Sequence, residues 1–278
     1  MRLRSLLFVP GDRPDRMEKA LGVGADALIL DLEDSVAPAK KAEARAAVAA
    51  FLRVPHRPMP LFVRVNPVGG GHAGEDLAAI LPAKPDAIVQ PKAEGAASVR
   101  MLIGCTDLPI LPIATETPAA IFGLGSYGEV HEHLIGLTWG AEDLPAAIGA
   151  TAAREADGRY TPPIETVRSL ALMAAHAAGV PAIETVYPSF RDPDGLAAYA
   201  ARGARDGFTG MMAIHPDQVA VINHAFTPSE SEAAAARAIV DAFAADPQAG
   251  VLAVDGRMVD APHLAQARRL LERAGQGA

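Results

Sequence analysis

Eight short apolar runs recur along the chain, with room for a helix between successive runs. They are SLLFVP (5–10), DALILDLE (26–33), PLFVRVN (60–66), DAIVQPK (86–92), LPILPIATE (108–116), HLIGLTWGAED (133–143), PAIETVY (181–187) and GMMAIHP (210–216). Most are continuous rather than strictly alternating, the pattern of strands covered on both faces. Ala-rich segments with helical character lie between them, among them 40–52, 161–179 and 193–204. Thr161-Pro162 reads as an N-cap followed by proline at the first helical position, and Gly179 as a helix stop. Eight such units predict an α/β fold, the (β/α)8 TIM barrel, which typically takes about 250 residues. A doubly wound open sheet is the alternative. The barrel is preferred because eight regular repeats leave no obvious second domain.

The barrel is expected over residues 1–226, carrying the functional site, with a C-terminal helical appendage over 227–278. A helix is expected over 227–244, opened by Thr227 and Glu230 in capping-box spacing. A turn or short hairpin and a second helix are expected over 251–274. The appendage could fold over its own barrel or over a neighbouring subunit.

Half of the 278 residues are hydrophobic, enough for one large core or two small ones. The net charge of −8 argues against nucleic-acid binding, which needs a basic face. No apolar run reaches the length of a membrane span. The N-terminal basic and apolar residues are broken by Pro10-Gly11, so a first strand is expected there rather than a signal peptide. Cys105, the single cysteine, excludes an intramolecular disulfide and is expected to be a semi-buried thiol without a role. A cytoplasmic setting follows as the expectation.

Barrel enzymes place their chemistry at the C-terminal ends of the strands. The chain puts Asp31, Glu33 and Asp34 at the end of the second run, and Arg64 and Asn66 at the third. Gln90 and Lys92 end the fourth, Glu116 the fifth, and Glu142 and Asp143 the sixth. Glu184 and Tyr187 end the seventh and His215 the eighth. Many carboxylates with few histidines favour a hard divalent ion such as Mg²⁺, which takes one or two protein carboxylates and fills its octahedron with other oxygens. Arg64 could pair with Glu33 or with a substrate carboxylate. A ring of salt bridges closing the mouth is the structural alternative. The HEH triplet (131–133) precedes the sixth run and so falls at the stability end of the barrel. GGGHAG (69–74) lacks phosphate-loop spacing and reads as a flexible loop. Lys92 could serve a Schiff-base aldolase, although the acids around it suit a metal. His215 could bond the backbone near the mouth or touch substrate. Met211 and Met212 read as packing, and Trp139 as filling the barrel or its wall.

Several motifs occur together and in order: RSLLFVPGDRPDRMEKA (4–20), ALILDLEDSVAP (27–38), FVRVNP (62–67), QPK (90–92), ETP (116–118), WGAEDL (139–144), GFTGMMAIHPDQV (207–219) and GRMVDAP (256–262). In these the chain resembles the citrate lyase β-subunit-like proteins of the HpcH/HpaI aldolase superfamily, which include malyl-CoA and citramalyl-CoA lyases. The resemblance implies a trimeric or hexameric barrel that binds Mg²⁺ and cleaves or forms a carbon–carbon bond next to a thioester. It implies Glu116 and Asp143 as metal ligands, with Glu116 also meeting the substrate. Arg64 would hold the substrate and stabilise enolate-like charge. Glu33 and Asp34 would act behind them, through water and Arg64, with Glu33 in a catalytic role. Arg16 and Lys19 would meet the nucleotide or pantetheine part of CoA. Asp260 would reach into a neighbouring subunit's site as an acid/base group. The chain departs from the family where Met211 stands in place of a frequent lysine and Glu184 in place of a frequent aspartate, and either change could shift the substrate.

The activity expected is thus Mg²⁺-dependent lysis of malyl-CoA, citramalyl-CoA or citryl-CoA, or of a citryl-acyl-carrier protein within a citrate lyase complex. Two alternatives stand beside it: a CoA-independent aldolase on 2-keto acids such as pyruvate or oxaloacetate, and a non-catalytic acyl-thioester or 2-keto-acid binding protein.

Overall fold

All eight apolar runs form strands, because each pairs with a neighbour on both sides and buries both faces. A computed structural model describes residues 1–55 and 57–275, so the last three residues of the 227–278 segment lie outside the described residues. The chain runs β1 (Ser5–Pro10), α1 (Pro14–Ala20), β2 (Ala27–Asp31), α2 (Lys41–Phe51), β3 (Leu61–Arg64), α3 (Ala73–Ile80), β4 (Ala87–Gln90) and α4 (Ala96–Ile103). It continues through β5 (Ile110–Pro112), α5 (Pro118–Gly123), β6 (Leu137–Thr138), α6 (Asp143–Ala147), α7 (Pro162–Ala177), β7 (Ala182–Glu184), α8 (Pro193–Asp206), β8 (Gly210–Ala213) and α9 (Gln218–Ala225). The strands are parallel in the order β5-β4-β3-β2-β1-β8-β7-β6. Single bridges at Ile110↔Leu134 and Ile113↔Thr138 join β5 to the sixth run and complete the ring. This is the α/β barrel that eight repeats predict.

Alternate residues fill the interior. Leu6, Ala27, Ile29, Phe62, Ala87, Val89, Leu111, Ile113, Ile183 and Met212 form one buried cluster. Residues between them, such as Leu28, Leu30, Val63 and Ile88, are buried on the opposite, helix-covered face. The period of two therefore decides which strand-end residue enters the barrel mouth. Thr161 and Pro162 open α7 as expected, and Gly179, at φ +71, ends the turn that follows it.

The chain divides into two compact units, Leu3–Asn223 and a second that starts at His224. The second contains α10 (Glu230–Ala245), a hairpin of β9 (Val251–Val254) and β10 (Arg257–Asp260), and α11 (Ala261–Arg273). Its small core is built from Ala233, Ala236, Ala267 and Leu271. The capping box of α10 is formed by Ser229 and Glu232, not by Thr227 and Glu230. TPSESE satisfies the spacing in both registers, and the later one matches the helix start. Among the described residues, no helix is long and apolar enough to cross a membrane. Cys105 is exposed rather than semi-buried.

Candidate active site

The acids at the end of β2 fall into two environments. Asp31 and Glu33 are buried, and Asp34 is exposed. Asp31 pairs in register with Arg64 on β3, and both share the interior parity of Ile29 and Phe62. The guanidinium fork therefore closes on Asp31, with Nε to Oδ1 and Nη2 to Oδ2 both at 2.7 Å. Its Nη1 lies 3.1 Å from Glu33 Oε2. Sequence reasoning gave Arg64 to Glu33 or to substrate and left Asp31 out of the site. The in-register neighbour at the same parity is the signal that identifies it. Burial pushes the Asp31 carboxyl up, but the Arg64 fork outweighs it and holds the group below the usual carboxylate range.

Glu33 is held from its other side by Lys92, whose Nζ lies 2.9 Å from Oε1. The same ammonium stands 3.6 Å from Asp143 Oδ1. Burial opposes the charge on Lys92, and the acids Glu33, Glu116 and Asp143 override it, so the group is held protonated. That disfavours a Schiff-base role, which needs the neutral amine. Burial raises the Glu33 carboxyl in spite of Arg64 and Lys92, and its Oε2 has no aligned hydrogen bond. Below Glu33 the backbone is fixed by Lys41, a residue not singled out from the sequence. Its ammonium takes Leu32 O at 2.6 Å, Glu33 O at 2.7 Å and Asn66 Oδ1 at 2.9 Å.

Glu116 is only 4% exposed. One oxygen accepts the Lys92 backbone N–H at 2.6 Å, and no cation lies within ion-pair distance of it among the described residues. Burial, with the charges of Glu33 and Asp143 added, pushes its carboxyl up to about 8. Gly140 passes so close that a Cβ there would stand 2.8 Å from Glu116 Cγ. Three features fit a divalent cation held by Glu116 and Asp143: two carboxyl groups lining one cavity, burial of Glu116 with no cation beside it, and a glycine backbone packed against Glu116. Among the described residues no group of three or more His, Cys, Asp or Glu is placed to hold a metal ion by itself. His131 and His133 lie in a helical segment before β6, away from this cluster.

A cavity of about 310 Å³ opens over these groups, lined by Asp31, Asp34, Arg64, Glu116 and Asp143 on its polar side. Phe8, Ile113, Val186 and Met212 form its apolar side. A second cavity of about 520 Å³ shares Phe8, Pro10, Arg16 and Ile214 with the first and adds Arg13, Lys19 and His215. Arg16 thus stands at the junction and Lys19 in the second cavity. His215 stacks on Phe190, with ring centroids 5.1 Å apart. Tyr187 donates to Asp192 at 2.7 Å. Ion pairs line the mouth but do not close it.

Two strand-end groups turn away from the mouth. Gln90 and Glu184 follow Val89 and Ile183, which point inward, so both face the helices. Gln90 donates to Ser98 O, and Glu184 is fully buried against Arg168, Trp139 and Tyr199. Glu184 therefore does not reshape the cavity directly. Met211 is buried at the outward parity, and Met212 packs inside. Asp260 belongs to the C-terminal unit, where it caps α11 and pairs with His263 Nδ1 at 2.5 Å.

The model of the HpcH/HpaI aldolase/citrate lyase family matches residues 4–216. A (3S)-malyl-CoA thioesterase from Cereibacter sphaeroides is 35% identical over 98% of this chain and 94% of its own length. The human mitochondrial citramalyl-CoA lyase is 32% identical over 95% of this chain and 83% of its own. The crystal structure of protein CitE from Mycobacterium tuberculosis, in complex with magnesium, acetoacetate and coenzyme A, superposes with a TM-score of 0.86 at 36% identity, covering 99% of this chain and 98% of that one. A barrel whose mouth gathers these carboxylates, matched along nearly its whole length by such relatives, belongs to the HpcH/HpaI aldolase/citrate lyase family.

Proposed function

We propose that the protein is a magnesium-dependent carbon–carbon lyase that cleaves, or in reverse forms, a β-hydroxyacyl-CoA thioester such as malyl-CoA or citramalyl-CoA. The observation that carries this reading is the joining of two unlike cavities through Arg16: one smaller and acid-lined, the other larger, with Arg13, Arg16 and Lys19 in its wall. A small oxyacid head fits the first, and a phosphorylated thioester tail fits the second. The M. tuberculosis relative bound to magnesium, acetoacetate and coenzyme A supports this division.

Glu116 and Asp143 would hold the ion. Magnesium, when bound, polarises the oxygen of the α-oxyacid part. In cleavage, a carboxylate accepts the hydroxyl proton, the carbonyl forms, and the electron pair of the carbon–carbon bond passes to the thioester as an enolate. Protonation of that enolate completes the reaction. Arg64, clamped by Asp31, supplies fixed positive charge at the mouth where enolate charge develops. Glu33, held between Lys92 and Arg64, and Asp34 act behind it. Arg16 and Lys19 hold the tail. In a homotrimer or hexamer, Asp260 from a neighbouring copy would supply the acid/base group. The lone exposed thiol suits a reducing, cytoplasmic setting.

A second reading, thioester hydrolysis of malyl-CoA, is favoured by the similarity to the C. sphaeroides thioesterase. One assay separates the two. Malyl-CoA, citramalyl-CoA and free 4-hydroxy-2-keto acids are offered with Mg²⁺ or EDTA, and the carbonyl acid and free CoA thiol are followed. The expected result is carbonyl acid without free thiol, abolished by EDTA and by Glu116→Gln. Free thiol from malyl-CoA would favour hydrolysis, and turnover of the free acids alone would favour a CoA-independent aldolase.

A further inference from the structure

Strand β6 is only two residues long, and single bridges join its run to β5. Yet the segment that leaves it, Trp139 to Asp143, delivers one of the two carboxylates read as holding the ion. So short a ladder cannot by itself fix where Asp143 sits. Side-chain anchors take over. A single hydroxyl holds both backbone groups of Gly140: Thr115 Oγ1 accepts from its N–H and donates to its carbonyl oxygen, each at 3.0 Å. Trp139 is fully buried behind the barrel wall and donates Nε1–H to Glu184 Oε1 at 2.6 Å.

Glu184 is itself immobilised. Its Oε1 also accepts from Tyr199 Oη at 2.8 Å and from Thr185 N at 2.9 Å. Its Oε2 takes Arg168 Nε at 2.8 Å, with Nη2 at 2.7 Å, and Arg168 is held in turn by Asp206 at 2.8 Å. One buried carboxylate thus ties the end of β6 to the end of β7, to α7 and to α8. We infer that Glu184 is a positioning residue: through Trp139 it sets the path of residues 139–143 and so the placement of Asp143 opposite Glu116. The close passage of Gly140 against Glu116 makes that path exacting, because a sideways shift of the segment meets the Glu116 side chain. A small ion with near-ideal octahedral demands is sensitive to such a shift.

The inference rests on the reading of Glu116 and Asp143 as magnesium ligands, and the test separates the two. Calorimetric titration with MgCl2 is run on wild type, Asp143→Asn, Trp139→Phe and Tyr199→Phe, with Tm measured for each. Trp139→Phe removes the bond from β6 to Glu184. Tyr199→Phe removes a bond to the same oxygen but leaves β6 anchored. The expected result is no Mg²⁺ binding by Asp143→Asn, affinity about ten-fold weaker in Trp139→Phe, and affinity near wild type in Tyr199→Phe. Wild-type affinity in Trp139→Phe, with binding lost in Asp143→Asn, overturns the positioning role while the metal reading stands. Equal weakening in Trp139→Phe and Tyr199→Phe also overturns it, since general loosening then suffices. Wild-type binding by Asp143→Asn overturns the metal reading, and the inference falls with it. Should Trp139→Phe fail to fold, Glu184→Gln replaces it. Trp139 is the only tryptophan, so its emission reports the altered bond directly. A shifted emission with weaker Mg²⁺ binding supports the inference, and a shifted emission with unchanged binding overturns it.

Discussion

Lys41 shows how a single buried charge can serve a site it never touches. It is 7% exposed and has no carboxylate within ion-pair distance among the described residues. Its three acceptors instead pin the peptide carbonyls of Leu32 and Glu33 and the side chain of Asn66. Asn66 is locked by Asp76, which Arg45 clamps at 2.7 Å. Lys41→Met would leave Asn66 Oδ1 buried and unpaired, and Leu32 O and Glu33 O with one bond each, from Asn66 Nδ2 and Val36 N. The expected loss is about 1–3 kcal/mol, read as a Tm lower by about 3–10 °C in thermal unfolding. Gly140→Ala acts differently. Its Cβ meets a buried side chain at 2.8 Å, so the Glu116 carboxylate must move. At least ten-fold loss of turnover and of Mg²⁺ affinity is expected, with far-UV circular dichroism unchanged.

At the scale of elements, helix capping and strand parity govern. The box at Ser229 closes reciprocally with Glu232, so Ser229→Ala should destabilise the C-terminal unit by about 1 kcal/mol, measurable by denaturant titration. The strands, their order of occurrence and the α7 start were legible in the sequence because buried parallel strands must be continuous apolar runs. What was not legible is which residue just past a run turns inward. Counting Gln90 and Glu184 among the mouth residues ignored the period of two that Val89 and Ile183 already announce. Which acids Lys92 spans is not legible either, because Glu33 and Asp143 come from strands far apart in the chain. The two departures from the resembling family also prove to be neighbours: Glu184 and Met211 are register partners on β7 and β8, both fully buried. With an apolar side chain at 211, Arg168 on α7 is the cation that meets the acid at 184.

Across the molecule, acid should be more damaging than base. Asp31 and Asp206 are both driven up by burial and driven further down by their arginine partners, Arg64 and Arg168. Their folded values lie below the ordinary one near about 4, so the unfolded chain takes up protons first as pH falls. The stability they contribute is complete above about pH 4 and lost as the pH drops through their folded values. Urea midpoints measured from pH 6 to pH 3 should fall, and the fall should shrink in Arg168→Met, where one of these pairs is already broken. The backbone at Lys92 carries a different consequence. This lysine sits at φ 51, a left-handed conformation that a side chain with a Cβ resists by about 1–2 kcal/mol. The same conformation turns its N–H to Glu116 and its ammonium to Glu33. Lys92→Gly should therefore unfold at a higher temperature than Lys92→Ala, though both lack the ammonium. Once the ammonium is gone, selection for heat resistance alone would favour glycine there over any other residue, and a variant of this enzyme stabilised in that way would have traded its reaction for its durability.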